Sequence, residues 1–288
     1  MGNSDWKLPQ VKLQLFAAGY CIHPEWVTIR GGKFGRIRIP ALFALIDHPE
    51  KGYILWDTGY SERFLAATHR FPARLYRMLT PVNYRASESA VNQLRAQGIA
   101  PEDIKIVIIS HFHADHIAGL KDFPNARFMF VAEAYDGVKG LSGIAALRRA
   151  FLPELLPSDL EARSTLISND RKVELGTESS PFPYAWDVLG DGRLLAVDLP
   201  GHADGQIGLF LSTQKRTYFL CADAAWSRKA VEENRPPHPV ASLIMPDKTR
   251  YRESFERVVD LQRMHPHVRI IPSHCPEVWS WVQGGERL

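Results

Sequence analysis

Cysteine is scarce in this chain. Its three residues, Cys21, Cys221 and Cys275, are odd in number and lie far apart. That excludes a disulfide framework of the kind that holds small secreted domains together. No apolar run approaches the roughly 18 residues of a membrane span. The opening Met1-Gly-Asn-Ser-Asp-Trp6 has no apolar signal core, and Trp6 stands where a myristoylation signal carries Ser or Thr. Clustered Lys and Arg are missing too. A net charge of +3 with a pI near 8.7 is too weak a balance to argue for a nucleic-acid partner. The glycine-rich stretch Gly31-Gly-Lys-Phe-Gly-Arg36 lacks the Gly-Lys-Ser/Thr ending of a phosphate-cradling loop, and no helix pattern follows it. It reads as a flexible connection. Low-complexity segments and short repeats are also absent. These absences together predict a soluble, cytoplasmic protein that engages neither membrane nor nucleic acid.

What is present suits a large globular domain. With 288 residues, 45% hydrophobic and 23% charged, the chain can bury a sizeable core, and a single domain over residues 1–288 is expected. Its centre is Ile106-Val-Ile-Ile-Ser-His-Phe-His-Ala-Asp-His-Ile-Ala-Gly119. The β-branched run Ile106 to Ile109 predicts a buried strand ended by Ser110, and Ile117 with Leu120 predicts a short helix. Between them stand His111, His113, Asp115 and His116, four metal-ligand types in six residues. A catalytic zinc takes about three protein ligands plus water. Either one of the four orients the others, or two metals share the site.

Taken in order, strands are predicted at Val11–Phe16, Ile37–Leu45 and Tyr53–Trp56, the last delivering Asp57-Thr-Gly59. Residues Ser61 to Gly98 read as mostly helical with breaks at Pro72 and Pro81, Ser87 capping the last helix and Gly98 ending it. Arg127–Val131 reads as a strand. Glu133 to Leu156 reads as helical with breaks at Gly140, Gly143 and Pro153, and Ile144, Leu147 and Phe151, at helical spacing, toward the core. A long helix is expected at Lys248–Met264. In the second half one device recurs: an apolar strand, a tight turn, a ligand type. Leu194–Leu199 leads to Pro200-Gly-His202, Thr217–Cys221 to Ala222-Asp223, and Val268–Ile271 to Pro272-Ser-His274. In sheet-based folds, sites lie beyond strand ends. His23, His48, His69, His238, His265 and His267 lack that setting and stay unassigned.

The series Asp57, His111-x-His113-x-Asp115-His116, His202, Asp223 and His274 resembles the metallo-β-lactamase superfamily in its dinuclear hydrolase form, over about Val11 to Trp281. Within it, Leu15-Phe-Ala-Ala-Gly-Tyr-Cys21, Asp57-Thr-Gly59 and Pro200-Gly-His202 resemble the N-acyl homoserine lactone lactonases, which are quorum-quenching enzymes. The resemblance implies an α/β fold, the αβ/βα sandwich of two mixed β-sheets flanked by helices. It implies that His111, His113 and His202 hold one metal, Asp115, His116 and His274 a second, and Asp223 bridges them. Asp57 would orient a ligand imidazole from outside. Zinc is the first expectation for the two divalent ions, with iron, cobalt or manganese as alternatives. Asp223 stands where β-lactamase branches carry Cys or Ser, which disfavours antibiotic hydrolysis.

The chemistry expected of such a site is hydrolysis of a small-molecule lactone or ester. Two ions about 3.5–4 Å apart lower the pKa of a shared water toward neutrality, and the resulting hydroxide attacks the carbonyl. Asp115 would then pass a proton to the leaving alkoxide. One departure stands out. Lactonases of this type carry Tyr three residues after the bridging Asp, whereas this chain has Trp226, whose indole can only donate. Trp226 either walls an apolar substrate pocket, the favoured expectation, or donates its indole N–H to a developing oxyanion. The alternatives are a phosphodiesterase, a thioesterase of the glyoxalase II kind, or a metal-retaining binding protein. Phosphate would call for Lys or Arg beside the ligands, and Arg228 is the nearest. Oligomeric state, a homodimer included, is left open.

Overall fold

A computed structural model describes residues 8–176 and 180–285, and the Met1–Trp6 stretch lies outside them. Two mixed sheets face each other. The first has seven strands: β1 (Lys12–Pro24), β2 (Arg36–His48), β3 (Gly52–Trp56), β4 (Val82–Asn83), β5 (Ile104–Ile108), β6 (Arg127–Phe130) and β7 (Ser164–Leu166), in the order β4-β1-β2-β3-β5-β6-β7. The second has six: β8 (Lys172–Glu174), β9 (Tyr184–Asp187), β10 (Leu195–Asp198), β11 (Ile207–Ser212), β12 (Thr217–Ala222) and β13 (Arg269–Pro272), in the order β13-β12-β11-β10-β9-β8. β3, β5, β6 and β7 run parallel, as do β12 and β13, while the remaining pairs are antiparallel. Helices pack on the outer faces, and among the described residues none is long and apolar enough to cross a membrane.

The strand sequences explain the layering. Along β11, Ile207, Leu209 and Leu211 face the main core between the sheets, while Phe210 faces a second cluster with Phe219, Phe255 and Val258. That second cluster lies under the helix Lys248–Met264, whose range matches expectation and whose Asp247 caps the amides of Thr249 and Arg250. At one edge, backbone bonds join the layers: Ile207 N–H donates to Ser110 O and Leu42 N–H to Ser273 O. This is the edge where the ligand types emerge.

Some local expectations are corrected. The 61–98 stretch contains the short strand β4 among its helices. Its last helix, Ala90–Ala96, is capped by Ser89, because Ser87 lies inside the preceding turn Ala86–Glu88. Ile144 is 44% exposed rather than facing the core. The helix there runs only Gly143–Leu147, and the chain turns at left-handed Ala150 before Phe151 is buried, so no helical period links 144 to 151.

Asp198, at the end of β10, carries a pH signature. Burial pushes its carboxyl up to about 6, against a partial pull downward from Arg250. The folded-state value lies above the unfolded one of about 3.9, so the ionised buried group costs stability at neutral pH. That cost fades as pH falls through 6 and is gone below about 4. Asp198→Asn is therefore expected to raise stability at pH 7.5 by on the order of 1–3 kcal/mol, with the gain vanishing by pH 4. Denaturant titrations at both pH values check this, and a gain independent of pH would contradict it.

Candidate metal centre

Each ligand type leaves a strand end. After β5, His111 and His113 occupy the turn, and His113 precedes the helix Ala114–Ile117, whose first turns hold Asp115 and His116. Asp57 directly follows β3 and Asp223 directly follows β12. Asp57 (φ 57°) and Ala222 (φ 48°) are left-handed, so the chain swings sharply out of each strand. For Ala222 that conformation costs about 1–2 kcal/mol, a strain kept next to Asp223.

His202 sits on a loop pressed against the long helix. Leu199 N–H donates to Gln206 O, the Gln206 side chain donates back to Leu199 O, and Ser254 Oγ–H donates to Pro200 O. Gly201 has φ +114°, and a Cβ there would stand 2.0 Å from Tyr251 N. Only glycine allows this approach.

The side chains converge into two groups: His111, His113, His202 and Asp223, and Asp115, His116 and His274, with donor atoms in each group all within 4.8 Å. All seven are buried. Asp223 stands between the groups. Its Oδ2 lies 3.1 Å from His202 Nε2 and 2.9 Å from His274 Nε2, and its Oδ1 lies 3.4 Å from His116 Nε2. His274 Nε2 is also 3.5 Å from Asp115 Oδ2, and His202 Nε2 is 3.0 Å from His113 Nδ1.

Outer partners fix the ring tautomers. Asp57 Oδ2 can only accept, so His116 Nδ1–H donates to it at 2.8 Å. Pro40 O likewise takes His274 Nδ1–H at 2.8 Å. Ser110 spends its hydroxyl proton on Asp57 Oδ2 at 2.7 Å, so its oxygen accepts from His111 Nδ1–H at 3.0 Å. Three rings thus have Nδ1 engaged outward and turn Nε2 inward, the atom a metal would take in place of its proton. Asp57 reaches one ring in each group, His116 directly and His111 through Ser110. Sequence reasoning treated Ser110 only as the end of a strand. No periodicity signals its role, which exists only once β3 and β5 lie side by side.

The electrostatics ask for a cation. Burial and neighbouring imidazoles hold His111 and His113 well below the ordinary histidine value. Burial would do the same to His116 and His274. There, however, the carboxylates led by Asp223 win, lifting His116 well above it and His274 to about 9. Burial would raise Asp223, but His274, His116 and His202 outweigh it and hold the carboxyl well below its usual range. Meanwhile His111 Nε2, His116 Nε2, His202 Nδ1 and Asp223 Oδ1 are buried without hydrogen-bond partners among the described residues. Inward-facing imidazole nitrogens, buried carboxylates and orphaned atoms fit divalent ions, and the donor groups suit two of them.

A cavity of about 450 Å³ opens onto this centre, with Asp115, His202, Asp223 and His274 on its floor. Val27, Leu79, Leu243 and Ile244 give it apolar walls, and Trp226 is among them. The Trp226 ring stands edge-on to His202 at 5.9 Å, and its indole N–H has no partner among the described residues. No Lys or Arg among the described residues lines this cavity. Arg228 is held by Glu277 and Glu232 instead.

Comparison with known proteins agrees with this geometry. Residues 40–264 match the family model described as the metallo-beta-lactamase superfamily. The probable metallo-hydrolase Mb2322c of Mycobacterium bovis is 25% identical over 247 residues, covering 82% of this chain and 75% of its own. The N-acyl homoserine lactonase AttM of Azorhizobium caulinodans is 26% identical over 255 residues, 88% of either chain. The solved structure of an N-acyl homoserine lactone hydrolase, with N-hexanoyl-L-homoserine at its catalytic metal centre, superposes with a TM-score of 0.72. It is 20% identical over 94% of this chain and 96% of that one, a likeness that speaks for the fold.

Proposed function

Because the chain belongs to the metallo-β-lactamase superfamily, we propose that it is a metal-dependent hydrolase opening lactones or esters, with N-acyl homoserine lactones as the leading substrate class and quorum quenching as the outcome. One observation carries the choice of a neutral carbonyl substrate. Beyond the donor cluster the cavity is largely apolar, and among the described residues no Lys or Arg lines it to hold a phosphodiester's charge. The lactonase relatives support the same reading. The three cysteines, all unpaired, suit a reducing compartment such as the cytoplasm.

His111, His113 and His202 would hold one ion and Asp115, His116 and His274 the other, with Asp223 between them. Mixed imidazole and carboxylate donors suit zinc first. When bound, such ions supply Lewis acidity and a water acidic enough to be hydroxide at neutral pH. The chain's own residues do the rest. The apolar walls seat the substrate and exclude bulk water. Asp115, on the cavity floor, would take the proton left on the attacking hydroxyl and pass it to the departing alkoxide. Trp226 walls the cavity, where lactonases of this type have a hydroxyl.

Ser110→Ala tests the orienting chain. Without the hydroxyl, His111 Nδ1–H loses its acceptor while His116 keeps Asp57. Chelator competition is expected to show the His111 group holding its ion about 10–100-fold more weakly, with the other group less affected. Unchanged retention at both would show that Ser110 orients nothing. The function itself is tested by giving the metal-loaded protein a lactone, an ester, a thioester and a phosphodiester. Turnover of lactone and ester is expected to dominate, and a preference for phosphodiester or thioester would overturn the reading.

A further inference from the structure

A second chamber of about 530 Å³ lies on the far side of Trp226. It shares Thr28, Ile39, Trp226 and His274 with the first cavity, so the two chambers adjoin along these residues, with His274 the one donor common to both and Trp226 the largest side chain between them. Ile29, Ile37 and Trp279 line its interior, and charges of both signs, Arg38 and Lys229 with Glu25 and Glu277, complete its wall. A single-armed substrate would fill only one of the two. His274, whose Nε2 is 2.9 Å from Asp223, touches both.

We propose that the second chamber is a substrate subsite for an apolar substituent on the alkoxide side of the scissile bond, so that the substrate carries two arms parted by Trp226. This rests on the reading of the protein as a lactone or ester hydrolase, and within that reading it favours γ-substituted lactones and esters of long alcohols over N-acyl homoserine lactones, whose alkoxide carbon bears no substituent. The acyl side lies in the chamber walled by Val27, Leu243 and Ile244. The alkoxide substituent runs past Trp226 toward Ile37 and Trp279, and its end meets the charged wall. An alkyl arm buried there gains affinity in proportion to the area it removes from water.

The test compares γ-butyrolactone with γ-decanolactone, which adds a hexyl arm on the alkoxide carbon. The wild-type protein is expected to favour the decanolactone at least tenfold in kcat/KM. Ile37→Trp, which fills only the second chamber, is expected to bring that ratio down tenfold or more. Lys229→Trp fills the same chamber from an exposed position and serves if Ile37→Trp does not fold. Val240→Trp narrows only the first chamber and is expected to leave the ratio within about twofold. If Val240→Trp abolishes the preference while the second-chamber variants keep it, the arm lies in the first chamber and the proposal falls. A wild-type protein with no preference overturns it as well. Calorimetry with the lactam 5-hexylpyrrolidin-2-one against 2-pyrrolidinone separates this from the functional reading. A hexyl-dependent gain in affinity that Ile37→Trp removes supports the chamber even if no lactone is hydrolysed. The lack of any gain counts against it even if lactones are.

Discussion

Replacing Asp223 with alanine is expected to reduce turnover about 10³-fold or more, the several kcal/mol of charge stabilisation that a metal centre supplies. The Asp223 carboxylate stands between the two donor groups, within 3.4 Å of Nε2 atoms of imidazoles from both. Its loss leaves one group with three histidines, the other with Asp115, His116 and His274, and nothing to join them. Elemental analysis should fall from about two ions per chain to one or fewer, the arithmetic of a donor set too large for one tetrahedral ion. The fold should persist, because Asp223 follows β12 and takes no part in its ladder. Circular dichroism checks the fold, and activity near the parent level with full metal content would remove Asp223 from the centre.

Gly201→Ala should be nearly as damaging by an opposite route, touching no ligand atom. The added methyl would stand 2.0 Å from Tyr251 N and 2.5 Å from Tyr251 Cα, and these are backbone atoms of the long helix that cannot swing aside. The backbone at φ +114° adds its own strain. Together these are expected to cost about 3 kcal/mol or more, or to push the loop outward and His202 with it. The variant should unfold at a lower temperature and bind its ions more weakly at the His202 group. Parent-like values in both measurements would mean that the loop and helix are not held as close as described.

The sequence made the centre legible for a definite reason. Ligands at strand ends leave a local mark, an apolar run followed by a turn and a donor, and this mark survives without knowledge of which strands pair. The helix Lys248–Met264 was legible because its length is local too, while its Asp247 cap emerged only in the structure. What depended on pairing was not. Ser110 gains its role only when β3 brings Asp57 alongside it. β11 is buried on both faces, so it lacks the alternation that marks a half-exposed strand, and the pattern alone assigns it no element. The misplacement of Ile144 has the same root, since a helix of five residues is too short for its period to be read. The second chamber is built from four separate segments and has no sequence signature.

The donors do not all come from one layer. His111, His113, Asp115 and His116 hang from the seven-stranded sheet, while His202, Asp223 and His274 hang from the six-stranded one. An ion seated among them is therefore a rivet driven through both halves of the molecule, tying chain positions that are remote in sequence. Such a tie resists the parting of the layers much as a cross-link does, and its hold scales with the logarithm of free ion concentration. Endurance against heat and denaturant then becomes a property the surroundings can set. A cell poor in the ion would keep a looser, shorter-lived enzyme, and a cell rich in it a durable one, from the same chain.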